Sequence, residues 1–283
     1  GKTVTAVNWS LINYINKGKK ILWIAHRHEL LDQAFLTFKN NAYNSLIPQK
    51  TDFSYRIISG HKSHDKLESL QKEDQLLIAS KSSLDRNLPL LFNKWLKDEE
   101  EIFFVIDEAH HAAAKSYKSI IDFLRTKIKK LNILGLTATP FRTAESEKGL
   151  LKKIFHNDMI YKIDLISLIR LGILSEPTFI SLETGFDIIS TLHLTDATLK
   201  EIKRSGYDGI GEKGVIKIAE NSTRNNKIVE HYLENKEKYG KTLLFALNRE
   251  NAIALNSLFI AKNVRSDFVI SNNKDPFGKI KDN

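Results

Sequence analysis

Two adjacent carboxylates follow a strongly apolar segment near the middle of the chain. Asp107 and Glu108 come directly after the segment 102–106, which reads Ile-Phe-Phe-Val-Ile and is typical of a buried parallel strand. Ligands of open α/β sheets bind at the carboxyl ends of the strands. Asp107 could there hold a Mg²⁺ ion that bridges nucleotide phosphates, and Glu108 could deprotonate an attacking water. An acidic helix cap without catalytic function is the alternative. A metal site at His110 and His111 is disfavoured because adjacent histidines point to different faces and no third ligand has zinc spacing.

A phosphate-binding element is indicated at the start of the sequence. Gly1, Lys2 and Thr3 stand directly before a predicted helix, as in the last part of the loop G-x-x-x-x-G-K-[ST]. The backbone N–H groups of a helix N-terminus attract phosphate, the lysine reaches the β- and γ-phosphates, and the threonine hydroxyl binds Mg²⁺. A helix start with a chance Lys-Thr pair is the alternative for this tripeptide.

A third polar segment follows a third apolar strand. Thr137, Ala138, Thr139 and Pro140 come after the apolar segment 133–136. Hydroxyl groups at this strand end could hydrogen-bond the acidic loop of a neighbouring strand and report the state of a nucleotide. The alternative is an ordinary threonine-proline turn.

The elements that must position these residues alternate between strand and helix in the first 140 residues, which predicts a parallel sheet wrapped by helices. Predicted strands cover 21–25, 56–58, 75–79, 102–106 and 133–136. Predicted helices cover 4–16, 28–39 and 115–130, the last of them amphipathic with a basic, solvated face.

The second half of the chain has a weaker pattern. A helix is predicted at 162–174, followed by a polar stretch at 183–221 that is hard to assign. A second α/β unit then begins with a helix at 225–238, a strand at 242–247 and a helix at 250–261. We therefore predict a first domain over 1–175, a connector over 176–222 and part of a second domain over 223–283.

Composition favours a polyanionic partner. The chain has 283 residues, with 43 Lys and Arg against 34 Asp and Glu, a formal net charge of +9. This balance makes nucleic acid the leading partner class. No apolar run approaches the roughly 18 residues needed to span a bilayer, and the absence of cysteine excludes disulfides and thiolate zinc sites. We expect a cytoplasmic protein with no membrane partner.

Together, the three motifs resemble motifs I, II and III of superfamily 2 helicases and translocases. Gly1-Lys2-Thr3 is similar to the end of motif I, Asp107-Glu108-Ala109-His110 to motif II and Thr137-Ala138-Thr139-Pro140 to motif III. The resemblance implies two RecA-like domains, the first complete or nearly so and the second incomplete. It implies ATP with Mg²⁺ as cofactors, Thr3 and Asp107 as metal ligands, and a catalytic role for Asp107, Glu108 and His110. It also implies that His110 couples the ATP site to Thr137 and Thr139.

The resemblance also implies nucleic-acid contacts. The segment 21–33, which includes His26 and Arg27, is similar to motif Ia, and the segment 77–84, which includes Ser80, is similar to the region that follows it. The segment 241–246 resembles motif IV, so Asn248 and Arg249 are further candidates. Motifs V and VI, including the arginine finger, are not found in these residues, and neither is the first half of motif I.

Within this superfamily the motifs resemble those of DEAH-type proteins such as the motor subunits of restriction enzymes and bacterial repair helicases of the RadD type. The leading hypothesis is an ATP-dependent helicase or translocase acting on DNA in repair, restriction or phage defence. It could work with a nuclease or another subunit of a larger complex. An RNA helicase and a nucleic-acid-binding scaffold that does not hydrolyse ATP are the alternatives.

Overall fold

Parallel strands form the centre of the first of two units into which the chain divides. The computed structural model describes residues 1–139, 150–155, 159–185 and 211–270. The first unit is Gly1–Asp164 and the second is Leu165–Asn283. The first domain is predicted to end at 175, and the domain limits stay a prediction.

The sheet of the first unit has the strand order β2-β3-β1-β4-β5, and every pair is parallel. All five predicted strands are confirmed, each with small shifts at its ends. The strands are β1 (Lys20–Ala25), β2 (Tyr55–Ile58), β3 (Leu76–Ser80), β4 (Glu101–Asp107) and β5 (Lys130–Leu136).

Helices of the first unit cover both faces of this sheet. The α-helices that the structure describes in this unit are α1 (Lys2–Asn13), α2 (His28–Asn41), α3 (Lys81–Asp85), α4 (Leu88–Leu91), α5 (Lys115–Lys127) and α6 (Leu150–Phe155). Those of the second unit are α7 (Leu165–Arg170), α8 (Gly211–Glu220), α9 (Ser222–Tyr239) and α10 (Arg249–Ala261). A short 3₁₀ helix, Ala109–Ala113, follows β4. The predicted α/β class is confirmed.

The apolar runs of the sequence explain the two cores. Every residue of β1 and β3 is buried, so alternate side chains supply opposite faces of the sheet. Trp23 and Val105 belong to a core under α1 and α2, whereas Ile24 and Ile106 belong to a core that includes α5. The apolar face predicted for the amphipathic helix is confirmed, since Tyr117, Ile120, Ile121 and Leu124 are buried.

One predicted element of the second half is shorter than expected and another is wrong. The helix predicted at 162–174 is present but comprises only the six residues of α7, and Gly172 in the left-handed conformation (φ 68°) follows it. The strand predicted at 242–247 is irregular, with Leu243 78% and Phe245 88% exposed. The described part of this unit contains no strand with which that segment could pair, and an apolar run does not form a sheet alone.

The second unit has its own small core between α9 and α10. Val229, Leu255 and Phe259 form its buried cluster. Beside them, Asn251 Nδ2 donates hydrogen bonds to the Ala219 carbonyl oxygen at 2.9 Å and to Asn225 Oδ1 at 3.1 Å. These buried amides connect α8, α9 and α10. Much of the stretch that was hard to assign, 186–210, lies outside the described residues.

Candidate nucleotide site

The carboxyl edge of the sheet carries the polar residues that the sequence singled out. In the parallel register Ile24 pairs with Ile106, Ala25 with Ser80 and Asp107 with Leu136. The residues that follow β1, β4 and β5 therefore leave the sheet side by side. They are the segments that begin at His26, Glu108 and Thr137.

Helix α1 brings the phosphate-binding motif to the same edge. This helix has 12 residues, about 18 Å of rise, and it ends shortly before the start of β1 at the opposite edge. Its first turn is therefore level with the carboxyl end of β1, which is about 20 Å long. Gly1 is the N-cap and has no side-chain cap, so backbone N–H groups of the first turn have no partner within the helix.

Asp107 is a buried carboxylate, 6% exposed, at the end of β4. Burial raises its pKa above the usual value of 3.8, and the charge of Glu108 raises it further. The Glu108 N–H, which donates to Asp107 Oδ1 at 3.0 Å, and the positive charge of Lys2 lower the pKa. A divalent cation would compensate this buried charge. The hydroxyl of Thr3 and the carboxylate of Asp107 are the hard oxygen ligands that Mg²⁺ prefers, so the residues fit an Mg-nucleotide.

Glu108 has an unusual backbone conformation. It lies in the left-handed region at φ 49° and ψ 53°, which non-glycine residues seldom adopt. Such strain occurs preferentially at functional sites. The conformation turns the chain from β4 into the 3₁₀ helix and leaves Glu108 Oε2 3.3 Å from His110 Nδ1.

His110 connects the acidic loop to the loop after β5. Its Nδ1 lies 3.0 Å from Thr137 Oγ1, and the same hydroxyl oxygen accepts the Thr139 N–H at 3.0 Å. The structure therefore brings together His110, Glu108, Thr137 and Thr139, with Ala138 between the two threonines. Pro140 lies outside the described residues, and the coupling role of these contacts stays a prediction.

His26 and Arg27 follow β1 at the same edge. Arg27 is exposed and forms the N-cap of α2. His26 is half-buried, and its Nδ1 has no hydrogen-bond partner among the described residues. Burial is the largest cause that lowers the pKa of His26. The charges of Arg27, His110 and Lys81 lower it further, whereas the charge of Glu108 raises it.

Ser80 has a structural role in this position. It is buried, 4% exposed, and its Oγ caps the short helix α3 by accepting the Ser83 N–H at 3.3 Å. The neighbouring Lys81, which the sequence analysis did not select, has its Nζ 5.5 Å from the centre of the Tyr117 ring. Tyr117 is fully buried, its hydroxyl has no partner among the described residues, and burial together with the charge of Asp107 raises its pKa.

The remaining predicted contacts lie in the second unit. Asn248 caps α10, because its Oδ1 accepts the Asn251 N–H at 2.8 Å, and Arg249 is the first residue of that helix. Their nucleic-acid contacts stay a prediction. The part of the chain that the structure describes contains no cluster of three His, Asp or Glu residues able to hold a metal ion. None of its helices is long and apolar enough to cross a membrane.

The parallel sheet, the helix that begins with Lys2 and Thr3, and the acidic pair at the end of β4 are typical of an α/β nucleotide-binding domain. Residues 1–142 match the protein family described as "Type III restriction enzyme, res subunit". This match spans half of the chain, and the chain belongs to that family. It supports the predicted place in superfamily 2 and the RecA-like character of the first unit.

Two curated relatives are similar over part of their length. The "Putative ATP-dependent helicase IRC3" of Saccharomyces cerevisiae is 26% identical over 97% of this chain and 36% of that protein. The "Putative mitochondrial ATP-dependent helicase irc3" of Schizosaccharomyces pombe is 27% identical over 55% of this chain and 23% of that protein. The chain thus spans about a third or less of the length of these relatives.

One solved structure with a partial likeness is the Hef helicase domain of Pyrococcus furiosus. It is 20% identical, with a TM-score of 0.47, over 90% of this chain and 52% of that chain.

Proposed function

We propose that this chain is the ATP-binding part of a DEAH-type helicase or translocase that acts on DNA. The observation that carries the proposal is the contact of His110 with both Glu108 and Thr137, beside the buried Asp107. This arrangement links a candidate general base to the loop after β5. It is the arrangement that a nucleotide-dependent motor needs.

Each residue has a distinct role in this proposal. The N–H groups after Gly1 and the ammonium group of Lys2 bind the β- and γ-phosphates. Thr3 and Asp107 hold Mg²⁺, which when bound neutralises phosphate charge. Glu108 orients and deprotonates the attacking water.

Replacing the proposed base tests the reaction. We expect Glu108→Gln to keep Mg-ATP bound while turnover falls by about 10² to 10⁴, because an amide holds water but cannot accept its proton. Glu100→Gln is the matched control, since Glu100 is exposed and pairs with Lys129 at the other edge of the sheet. Fluorescent-nucleotide titration and steady-state ATPase measurements separate binding from turnover. Near-normal turnover in Glu108→Gln would place the base elsewhere.

Replacing the lysine tests the phosphate site independently. We expect Lys2→Ala to abolish productive ATP binding, because no other residue predicted to contact the ATP phosphates carries a positive charge. The same titration measures this loss. Unchanged nucleotide affinity and turnover would remove the assignment of Gly1, Lys2 and Thr3 as the phosphate-binding motif.

The polynucleotide is tested by parallel stimulation with double-stranded DNA, single-stranded DNA and RNA. We expect stimulation by DNA, largely independent of base sequence, since the predicted contacts go to phosphates. Stronger stimulation by RNA would favour an RNA helicase. Binding without any hydrolysis would favour a scaffold.

The predicted contact of Arg27 with a phosphate has its own test. Arg27→Ala should reduce the slope of log affinity against log salt by about 0.9, the value for one phosphate contact on duplex DNA. Lys129→Ala removes one positive charge at the opposite edge of the sheet and should leave the slope unchanged. Equal slopes in all three proteins would exclude Arg27 from the interface.

The biological role in repair, restriction or phage defence, a nuclease or other partner subunit, and a cytoplasmic location belong to the same proposal. The family to which residues 1–142 belong supports a restriction or defence role. Co-purification of the natural protein with its partners from separated cell fractions tests all three. Recovery from a membrane fraction or an organelle would contradict the location.

A further inference from the structure

Three imidazole rings form a continuous row at the carboxyl edge of the sheet. The ring centres of His26 and His111 are 4.4 Å apart, and those of His111 and His110 are 4.2 Å apart. His26 follows β1, whereas His110 and His111 belong to the 3₁₀ helix after β4. The row therefore joins two neighbouring strand ends through side chains.

The two ends of the row touch groups with different proposed roles. His26 is next to Arg27, the proposed phosphate contact. At the other end, His110 Nδ1 lies 3.0 Å from Thr137 Oγ1 and 3.3 Å from Glu108 Oε2. His111 lies between them and has no role in the proposed reaction.

Ring contact is a main constraint on His26. Its Nδ1 is buried and has no hydrogen-bond partner in the described part of the chain, so no hydrogen bond at that atom fixes the ring. A change in the backbone at Arg27 would move His26 against the ring of His111. A shift of His111 toward His110 would press on that ring, because the two ring centres are only 4.2 Å apart.

We propose that His111 is a positioning residue that couples the nucleic-acid contact at His26 and Arg27 to His110 in the ATP site. The inference rests on the proposed function and adds the path by which DNA binding accelerates hydrolysis. The coupling is reciprocal, so a bound nucleotide also changes the affinity for DNA. The contacts through which it passes are contiguous.

The experiment measures ATPase activity with and without saturating double-stranded DNA. We expect His111→Ala to keep the basal rate and to lose about 5-fold or more of the stimulation, the lower range of allosteric coupling. His111→Phe keeps an aromatic ring in the row and should retain most of the stimulation by DNA, whereas His111→Leu should lose it as His111→Ala does. DNA affinity and its salt slope should change by less than about 2-fold in His111→Phe and His111→Leu, because His111 is not a predicted phosphate contact.

A double-mutant cycle tests the contact itself. Since either change interrupts the same row, His26→Ala combined with His111→Ala should lose no more stimulation than the more impaired single variant. The matched control is His231→Ala, whose ring partner Tyr239 lies in the same helix α9. Urea unfolding of each variant verifies that it is folded. If His111→Ala does not fold, His111→Leu replaces it in the cycle.

Two failures are distinguishable. Wild-type protein that shows no ATP hydrolysis with any polynucleotide would overturn the proposed function and this inference with it. Stimulated wild type with equally stimulated His111→Ala and His111→Leu, or with multiplicative losses in the double variant, would overturn the inference alone.

Discussion

Gly135 sits where the sheet approaches the acidic loop most closely, and its replacement by alanine tests how that loop is positioned. A Cβ at this position in β5 would lie 2.7 Å from Cζ of Phe155 and 2.9 Å from Cβ of Ala109. Carbon atoms in contact are normally about 3.5 to 4.0 Å apart. The Phe155 ring can turn away at modest cost, but the Cβ of Ala109 moves only with its backbone. That backbone lies between Glu108 and His110.

The magnitude follows from two opposing effects. Overpacking of a well-packed core costs about 1 to 3 kcal/mol. Alanine recovers roughly 0.5 to 1 kcal/mol relative to glycine within a strand, because it restricts the unfolded chain. The difference lies between about 0 and 2.5 kcal/mol, so we expect Gly135→Ala to lower the free energy of unfolding by roughly 1 kcal/mol. A displacement of the acidic loop approaching 1 Å should also reduce turnover by about 10-fold or more.

Urea unfolding and steady-state ATPase assays measure the two effects. Gly60→Ala is the control, since a Cβ at Gly60 would meet nothing within 4 Å and should be neutral or slightly stabilising. Ala109→Gly removes the closest backbone-fixed atom and should rescue part of the stability of Gly135→Ala, with a coupling of at least about 0.5 kcal/mol. Equal behaviour of Gly135→Ala and Gly60→Ala in both assays would refute the close-approach argument.

Three further changes test the two units separately. Hydrogen bonds from Lys19 and Lys130 lower the pKa of Glu101 to about 2, so this carboxylate stabilises the folded state above its unfolded pKa near 4.5. Glu101→Gln should lower the free energy of unfolding by only about 1 kcal/mol at pH 7, because the lysines are partly exposed. In urea titrations the difference between variant and wild type should vanish as the pH falls from 4.5 to 2. A difference that stays constant over this range would contradict the prediction. Asn251→Ala should lower the free energy of unfolding of the second unit by about 1 to 3 kcal/mol, since it leaves buried partners unpaired. Faster amide hydrogen exchange in α9 and α10 would show this loss, and unchanged exchange would contradict it. Tyr117→Phe should leave the melting temperature equal or higher, because the deleted hydroxyl is buried without a partner among the described residues; a marked fall would mean that the hydroxyl is hydrogen-bonded.

The sheet of the first unit could be predicted from sequence because each strand is buried on both faces. Runs such as 102–106 then contain apolar residues only, and helices of clear period lie between β1 and β2 and between β4 and β5. The segment 242–247 has a similar composition but is irregular. Composition reports that a segment prefers a buried strand, whereas a strand forms only where neighbours supply hydrogen bonds, which a local pattern does not encode.

The residues of the candidate site that belong to a sequence motif could be predicted. Those that are brought into the site by packing between distant segments could not. Asp107, Glu108 and Thr137 stand directly after strands, so the parallel sheet alone brings them to one edge. The contact of His111 with His26 joins residues far apart in the chain, and no short-range pattern marks it. In the sequence, this contact is marked only by His111 itself, the second histidine after Ala109. The spacing of the histidines does not fit a metal site, so it gave no reason to select His111.

The register of β4 against β5 sets the geometry of the whole loop system. Because Asp107 pairs with Leu136, the residues Glu108 and Thr137 leave the sheet together and His110 reaches the threonine hydroxyl. A slip of one residue would move the loops by about 3.3 Å and turn the alternating side chains to the opposite faces. Such a slip would move Phe104 from the core that includes α5 to the core on the opposite face, and it would break the His110 contact at the same time. The burial that stabilises this strand pair is therefore also what holds the candidate base beside its partner.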